Sequence, residues 1–171
     1  SGSRAAEDSK AAVGGKIDTH LLGNKKDPIK EIKEFKTASA GLTKTERESI
    51  IKSRIGQGEF RTNLIEYWGN CSVTACKVVE ILKASHIKPW RSSDNRERLD
   101  VFNGLLLIPN IDSAFDNGLI SFDNEGKIIL SNLLGDNERG KLGIHAELSL
   151  KKIDANHLRY LEFHRRNIFK E

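Results

Sequence analysis

A sustained helical pattern of apolar residues begins at Thr43. Thr43 with Glu46 three residues later has the form of a capping box, and Ile50, Ile51 and Ile55 follow as an apolar stripe until Gly56 interrupts it. A second helix is predicted beyond that break, with Phe60, Leu64, Tyr67 and Trp68 at i, i+4, i+7 and i+8, ending at Gly69. Such an aromatic face reads as core rather than as a platform for stacking bases. After Asn70 the period shortens, and 71–73 and 80–86 read as two short strands around a turn, with Leu82, Ala84 and His86 on one face of the second. Pro89 stops the ladder, and a polar loop carrying Arg91, Arg96 and Arg98 runs to Asp100. Leu105 to Leu107 is a short buried run. Asn110 is placed to cap a helix that Gly118 ends, with Asp112, Phe115 and Asp116 between them. Segments 119–122 and 127–130 around the turn 123–126 form a hairpin signal, and 131–150 is loop-like by composition. The last element runs from Asp154 to about 169, with Leu158 and Leu161 toward the core and Arg159, Arg165 and Arg166 on its polar face.

Upstream of Thr43 the pattern is poor. Residues 1–15 are small and polar and read as a disordered tag or linker. Within 16–42, Ile29, Ile32 and Phe35 after Pro28 allow a short helix, or else a linker from an upstream domain. The folded domain is therefore expected at 43–171. With 171 residues, 37% of them hydrophobic and 30% charged, the chain is one soluble domain's worth of core. No apolar run approaches the roughly 20 residues that cross a bilayer, and the N-terminus lacks a signal-peptide layout, so a cytoplasmic protein without membrane contact is expected. A net charge of +4 is mild, and clustering rather than the total would mark a nucleic-acid face. Cys71 and Cys76 are too few for a disulfide framework and lack nearby zinc co-ligands, so they read as two small half-buried thiols flanking a turn.

The stretch 84–122 carries the candidate chemistry. Hydrolysis of a phosphodiester needs a group to deprotonate water, a divalent cation to neutralise charge at the phosphate, and fixed geometry between them. His86 has the side chain whose ordinary pKa suits the first task. Asp112 and Asp116 stand one helical turn apart, where they can hold one hard cation together. Asn103 cannot titrate, and its amide suits the third task by hydrogen-bonding the loop after the histidine. Each residue also has a bland reading: a structural histidine, aspartates favouring a helix dipole, an Asn-Gly turn.

Their joint order resembles a known family. The runs ASHIKPW, RLDVFNGLLL and NIDSAFDNGLISFD look like the HNH endonucleases, in particular the branch without zinc-knuckle cysteines often found in restriction-type proteins. The resemblance extends over about 43–169, including GQGEFR and HRRNIF. It implies an α+β fold: a ββα-metal finger with core 71–122, embedded in flanking helices with an additional β-hairpin. A hairpin over 71–86 and a helix over 110–117 would pinch one metal. By the same resemblance His86 is the general base, Asn103 positions the base loop, and Asp112 and Asp116 are metal ligands. Two positions depart from the family pattern. Ser85 stands where many members have an Asp or His ligand, and Asp112 replaces the final histidine, which shifts the expected single divalent cation from zinc toward magnesium or manganese, with zinc or nickel kept as alternatives.

The implied activity is metal-dependent hydrolysis of DNA, with double-stranded DNA as partner, as the nuclease module of a restriction- or defence-type protein. Lys88, Arg91, Arg96 and Arg98 would contact phosphates, although Arg98 could instead pair with Asp100, and Trp90 is read as packing under their loop. A catalytically inactive DNA-binding module and an RNA-cleaving nuclease stay open, as do a homodimer and a target-recognition domain elsewhere in a longer protein.

Overall fold

The computed structural model describes residues 43–171, and the expectations for 1–15 and 16–42 lie outside the described residues. Where two helices were expected, one helix of 25 residues runs through, α1 (Lys44–Trp68). Its start is the predicted capping box: the Glu46 N–H donates to Thr43 Oγ1 at 3.3 Å while the Thr43 N–H donates to the Glu46 carboxylate at 2.7 Å. Gly56 does not break the helix, because a glycine costs only about 1 kcal/mol relative to alanine in a helix interior. The predicted core face holds, with Phe60, Leu64 and Trp68 buried. The first half of the helix is different: Ile55 is 54% exposed.

The strand pairing departs from the sequence reading. The partner of the strand carrying His86 is not 71–73. Instead β1 (Lys83–His86) pairs antiparallel with β2 (Gly104–Leu107), setting Lys83 opposite Leu107 and His86 opposite Gly104. Every residue of β2 is buried, which is why its run Leu105-Leu106-Leu107 shows no alternation. Segment 71–73 is a turn docked on β2, where Ser72 donates through its N–H and its hydroxyl to the Leu106 carbonyl, at 2.7 and 3.1 Å. Residues 79–81 form a 3-10 turn rather than strand. Arg61 of α1 holds that turn by donating to the carbonyls of Val79 and Leu82 at 2.9 and 2.6 Å. Both cysteines are free thiols, Cys71 buried and Cys76 half-buried.

Helix α1 crosses this pair at Gly104. A Cβ there would lie 2.5 Å from the Phe60 ring and 2.7 Å from Leu64, so only a glycine admits the approach. The Trp68 indole N–H reaches the Gly104 carbonyl at 3.2 Å. After β2 comes α2 (Pro109–Asp116), whose N-cap is Ile108 rather than the expected Asn110, with Pro109 in the first turn. Asn110 lies inside the helix and donates its amide to the Leu142 carbonyl. Ile111, Ala114 and Phe115 form the buried face of α2.

The second hairpin is as predicted, β3 (Ile120–Phe122) against β4 (Ile128–Leu130). The stretch read as loop contains a short helix, α3 (Asp136–Leu142), with acidic residues in its first turn, basic residues in its last and no buried residue. The final helix is α4 (Ala155–Asn167), capped by Asp154. Its core face is His157, Tyr160, Leu161 and His164, while Leu158 is half-buried. His164 ties α4 to both α2 and β3: its ring stacks on Phe115 at 3.8 Å, and its two nitrogens meet the Ser121 hydroxyl at 2.9 Å and the Phe115 carbonyl at 3.1 Å. The fold is thus α+β, a ββα unit within flanking helices and an added hairpin. No helix among the described residues is long and apolar enough to cross a membrane.

Candidate active site

The connection from β1 to β2, residues 87–103, is cross-linked from inside. Asn103 is fully buried; its carbonyl oxygen accepts the Lys88 N–H at 2.8 Å. One amide proton goes to the Glu97 carbonyl at 3.0 Å, and the other is shared between the Lys88 carbonyl and Ser93 Oγ, each at 3.3 Å. The Ile87 N–H donates to the backbone carbonyl of Asn103 at 3.0 Å, and Ser93 Oγ donates to the Lys88 carbonyl at 3.0 Å. A single uncharged side chain therefore holds both ends of the loop that follows His86.

His86 is half-buried at the end of β1, its ring stacked on Phe60 at 3.8 Å and edge-on to Trp90 at 5.5 Å. One ring nitrogen, Nε2, lies 3.0 Å from the Arg98 carbonyl. A carbonyl only accepts, so Nε2 carries the proton and Nδ1 keeps its lone pair. Burial disfavours the imidazolium and lowers the pKa of His86 below its ordinary value, with the Arg98 charge acting in the same direction and the Arg98 carbonyl opposing them. A half-buried neutral imidazole in one fixed tautomer is suited to accept a proton.

Asp112 and Asp116 stand one turn apart on the outer face of α2. Burial holds both carboxyls above their ordinary range, and for Asp116 the charge of Asp112 adds to it. Ser85, buried in β1, donates its hydroxyl to Asp116 at 3.2 Å and partly offsets this. For Asp112 the Ser85 hydroxyl and then the Lys83 charge do the same. An open cleft of about 820 Å³ brings Ser85, His86, Asp112 and Asp116 together with Trp90 and Arg91. Among the described residues, no three His, Cys, Asp or Glu side chains converge as a metal cluster. Two mutually repelling carboxylates beside a hydroxyl nonetheless fit a hard cation that keeps part of its water shell.

The other basic candidates lie elsewhere. Lys88 is held by Glu97 at 2.7 Å. Arg98 lies over the Trp90 ring at 5.0 Å and donates to the Trp90 carbonyl and to Asn95. It leaves Asp100 to Arg159 and Tyr160, at 2.8 and 2.7 Å. Arg96 is exposed on the same loop. Two residues that sequence reasoning did not single out, Gln57 of α1 and Lys170 beyond α4, also line the cleft. Neither sits in a periodic or motif position that could have marked it, although Gln57 lies within the GQGEFR run.

Residues 71–123 match the HNH endonuclease family. Curated proteins yield no match. Among solved structures, one titled modification-dependent TagI restriction endonuclease aligns with 62% of this chain and 36% of its own, at 20% identity and a TM-score of 0.40. The chain spans about a third of that protein's length. The matched stretch takes in β1, the base loop, β2 and α2, the elements that carry Ser85, His86, Asn103, Asp112 and Asp116.

Proposed function

We propose that this domain is a metal-dependent endonuclease that hydrolyses DNA phosphodiester bonds with His86 as general base. The observation that carries the reading is the state of His86: Nε2 is committed to the Arg98 carbonyl, leaving Nδ1 as a lone pair in a neutral ring. In the reaction Nδ1 takes a proton from water as the water oxygen bonds to phosphorus and the bond from phosphorus to the 3′ oxygen breaks. The released 3′ oxygen is protonated from solvent, the products are a 5′-phosphate and a 3′-hydroxyl, and Nδ1 returns its proton to water. Asn103 holds the base loop through its four hydrogen-bond contacts and so keeps the Arg98 carbonyl at Nε2 of the ring. Asp112 and Asp116 would hold a divalent cation, magnesium or manganese by the hardness of the donors, which when bound supplies charge neutralisation at the scissile phosphate. Arg91 on the cleft wall would contact a neighbouring phosphate, with Lys88, Arg96 and Arg98 in the adjoining loop.

The test is plasmid cleavage by wild type and His86→Ala with magnesium, manganese, zinc or a chelator, beside a binding assay on the same DNA. The expected outcome is metal-dependent cutting that falls about 10²- to 10⁴-fold in the variant while binding persists. A folded wild type that cuts no DNA in any of these metals overturns it. A second reading, a DNA-binding module without hydrolysis, draws on Ser85, whose hydroxyl takes up Asp116 Oδ1 and leaves the donor set one charged ligand short. That reading requires binding without cutting in both proteins.

A further inference from the structure

Lys170 reaches the cleft by a backbone strap. Beyond the end of α4 the chain turns back on itself, with the N–H groups of Ile168 and Phe169 both donating to the His164 carbonyl at 2.9 Å. The next N–H, that of Lys170, donates to the Gly118 carbonyl at 2.9 Å, just past the helix that carries Asp112 and Asp116. The two backbones are in contact there. A Cβ on Gly118 would lie 2.0 Å from the Ile168 carbonyl oxygen, and Gly118 has φ +70°, so a side chain is excluded at 118 both by space and by conformation. The strap thereby fixes Asn167, Ile168 and Lys170 in the wall of the cleft that holds His86, Asp112 and Asp116.

The charge balance of the cleft calls for such a group. The paired carboxyls Asp112 and Asp116, when ionised, would repel a polyanion, and two of the four cations on the base loop are engaged, Lys88 with Glu97 and Arg98 with Trp90 and Asn95, which leaves Arg91 on the cleft wall and the exposed Arg96. The Lys170 ammonium is exposed and makes no ion pair among the described residues. A lysine is a compact cation with three donors on a long stem, a good partner for a phosphate oxygen once its Cα is anchored.

We infer that Lys170 is a phosphate-contacting residue of the substrate cleft, set in place by the Lys170 to Gly118 backbone hydrogen bond. This rests on the reading of the cleft as a DNA site, and its test reads binding separately from cutting. Duplex DNA affinity is measured in chelator across a salt series for wild type, Lys170→Gln, Lys170→Arg and, as a charge control outside the cleft, Lys127→Gln. Lys127 is exposed and paired with Glu125.

For Lys170→Gln the slope of log affinity against log salt is expected to fall by about 0.9, one phosphate contact, with a several-fold loss of affinity at low salt. Lys170→Arg is expected to keep the slope, and Lys127→Gln to leave it unchanged. Gly118→Ala, which dislodges the strap, is expected to follow Lys170→Gln if it folds. A Lys170→Gln slope equal to wild type overturns the inference, and it leaves the nuclease reading intact if wild type cuts. Wild type that binds with a Lys170-dependent slope but never cuts overturns hydrolysis and keeps the contact. Wild type that does not bind DNA overturns both.

Discussion

His164 shows how a residue can matter to this fold without belonging to its chemistry. The Phe115 carbonyl accepts from Nε2, so the Ser121 hydroxyl must donate to Nδ1, and a proton added at Nδ1 has no acceptor unless Ser121 turns away. Burial pushes the pKa of this histidine down to about 4. The unfolded chain binds the proton near the ordinary value of 6.5, so between these values the unfolded state holds more protons. The stabilisation is therefore fully present above about pH 6.5 and is lost as pH falls toward 4, on the order of 3 kcal/mol in all. Urea unfolding of metal-free protein at a series of pH values is expected to show this loss, and His164→Leu is expected to flatten it. A variant as acid-sensitive as wild type would place the effect elsewhere, His157 being the next candidate since burial lowers its pKa too.

The residues proposed for chemistry were legible because their types are matched to tasks and their spacing is local: two carboxylates one turn apart need only a helix around them. Gln57 and Lys170 were not legible, since they enter the cleft only through tertiary docking. The two buried histidines of α4 were passed over for a related reason. Histidine does not count as apolar in a periodicity, yet here His157 and His164 fill core positions that Leu158 was expected to take.

At the level of elements, caps and turns closed by a few adjacent residues were legible, whereas the cap of α2 at Ile108 and the pairing of β1 across the base loop were not. A capping box or a hairpin turn is written in four or five adjacent residues, and the start of α1, the hairpin from Ile120 to Leu130 and the Asp154 cap all follow from such signals. The pairing of β1 with β2 spans the base loop, and nothing in 71–86 alone says that Lys83 meets Leu107. Helix α3 buries no residue and so has no apolar period to detect. Gly56 reads as a helix break for a different reason: a glycine signals a stop in sequence, whereas here the space its Cβ would fill lies 3.4 Å from the Trp90 ring.

That distinction gives a prediction for α1 and its contact with β2. Gly58 lies in the same helix with nothing within 4 Å of an added Cβ, so Gly58→Ala is expected to raise stability by about 0.5–1 kcal/mol, through helix propensity and a less flexible unfolded chain. Gly104→Ala meets Phe60 and Leu64 at 2.5 and 2.7 Å and is expected to cost about 1–3 kcal/mol or more, as overpacked cores do. Denaturant titrations of the two variants beside wild type check both signs; an unchanged midpoint for Gly104→Ala would mean that α1 and β2 are not in the close contact described.

Over the whole molecule, the candidate site is assembled from elements that have little else in common. His86 comes from β1, its ring support Phe60 from α1, the two carboxylates from α2 and the far wall from the turn after α4. All of these meet only in the folded domain, so a cation bound at Asp112 and Asp116 would be bound by the native state alone and would stabilise all of it by mass action. At a free metal concentration of 100 times the dissociation constant the gain is about 2.7 kcal/mol. For a domain of this size that corresponds to a rise of several degrees in Tm. The expected outcome is a manganese- or magnesium-dependent Tm that returns to the starting value when chelator is added. Removing one charge from the pair separates this from a nonspecific salt effect: Asp116→Asn, which keeps an oxygen for the Ser85 hydroxyl, is expected to leave the metal-free Tm near wild type or raise it, because it relieves the repulsion between the two carboxylates. The same variant is expected to lose most of the metal-dependent shift. A shift of equal size in wild type and Asp116→Asn would locate the cation elsewhere, whereas a shift confined to wild type ties the two aspartates of α2 to the metal by a measurement that does not depend on whether any DNA is cut.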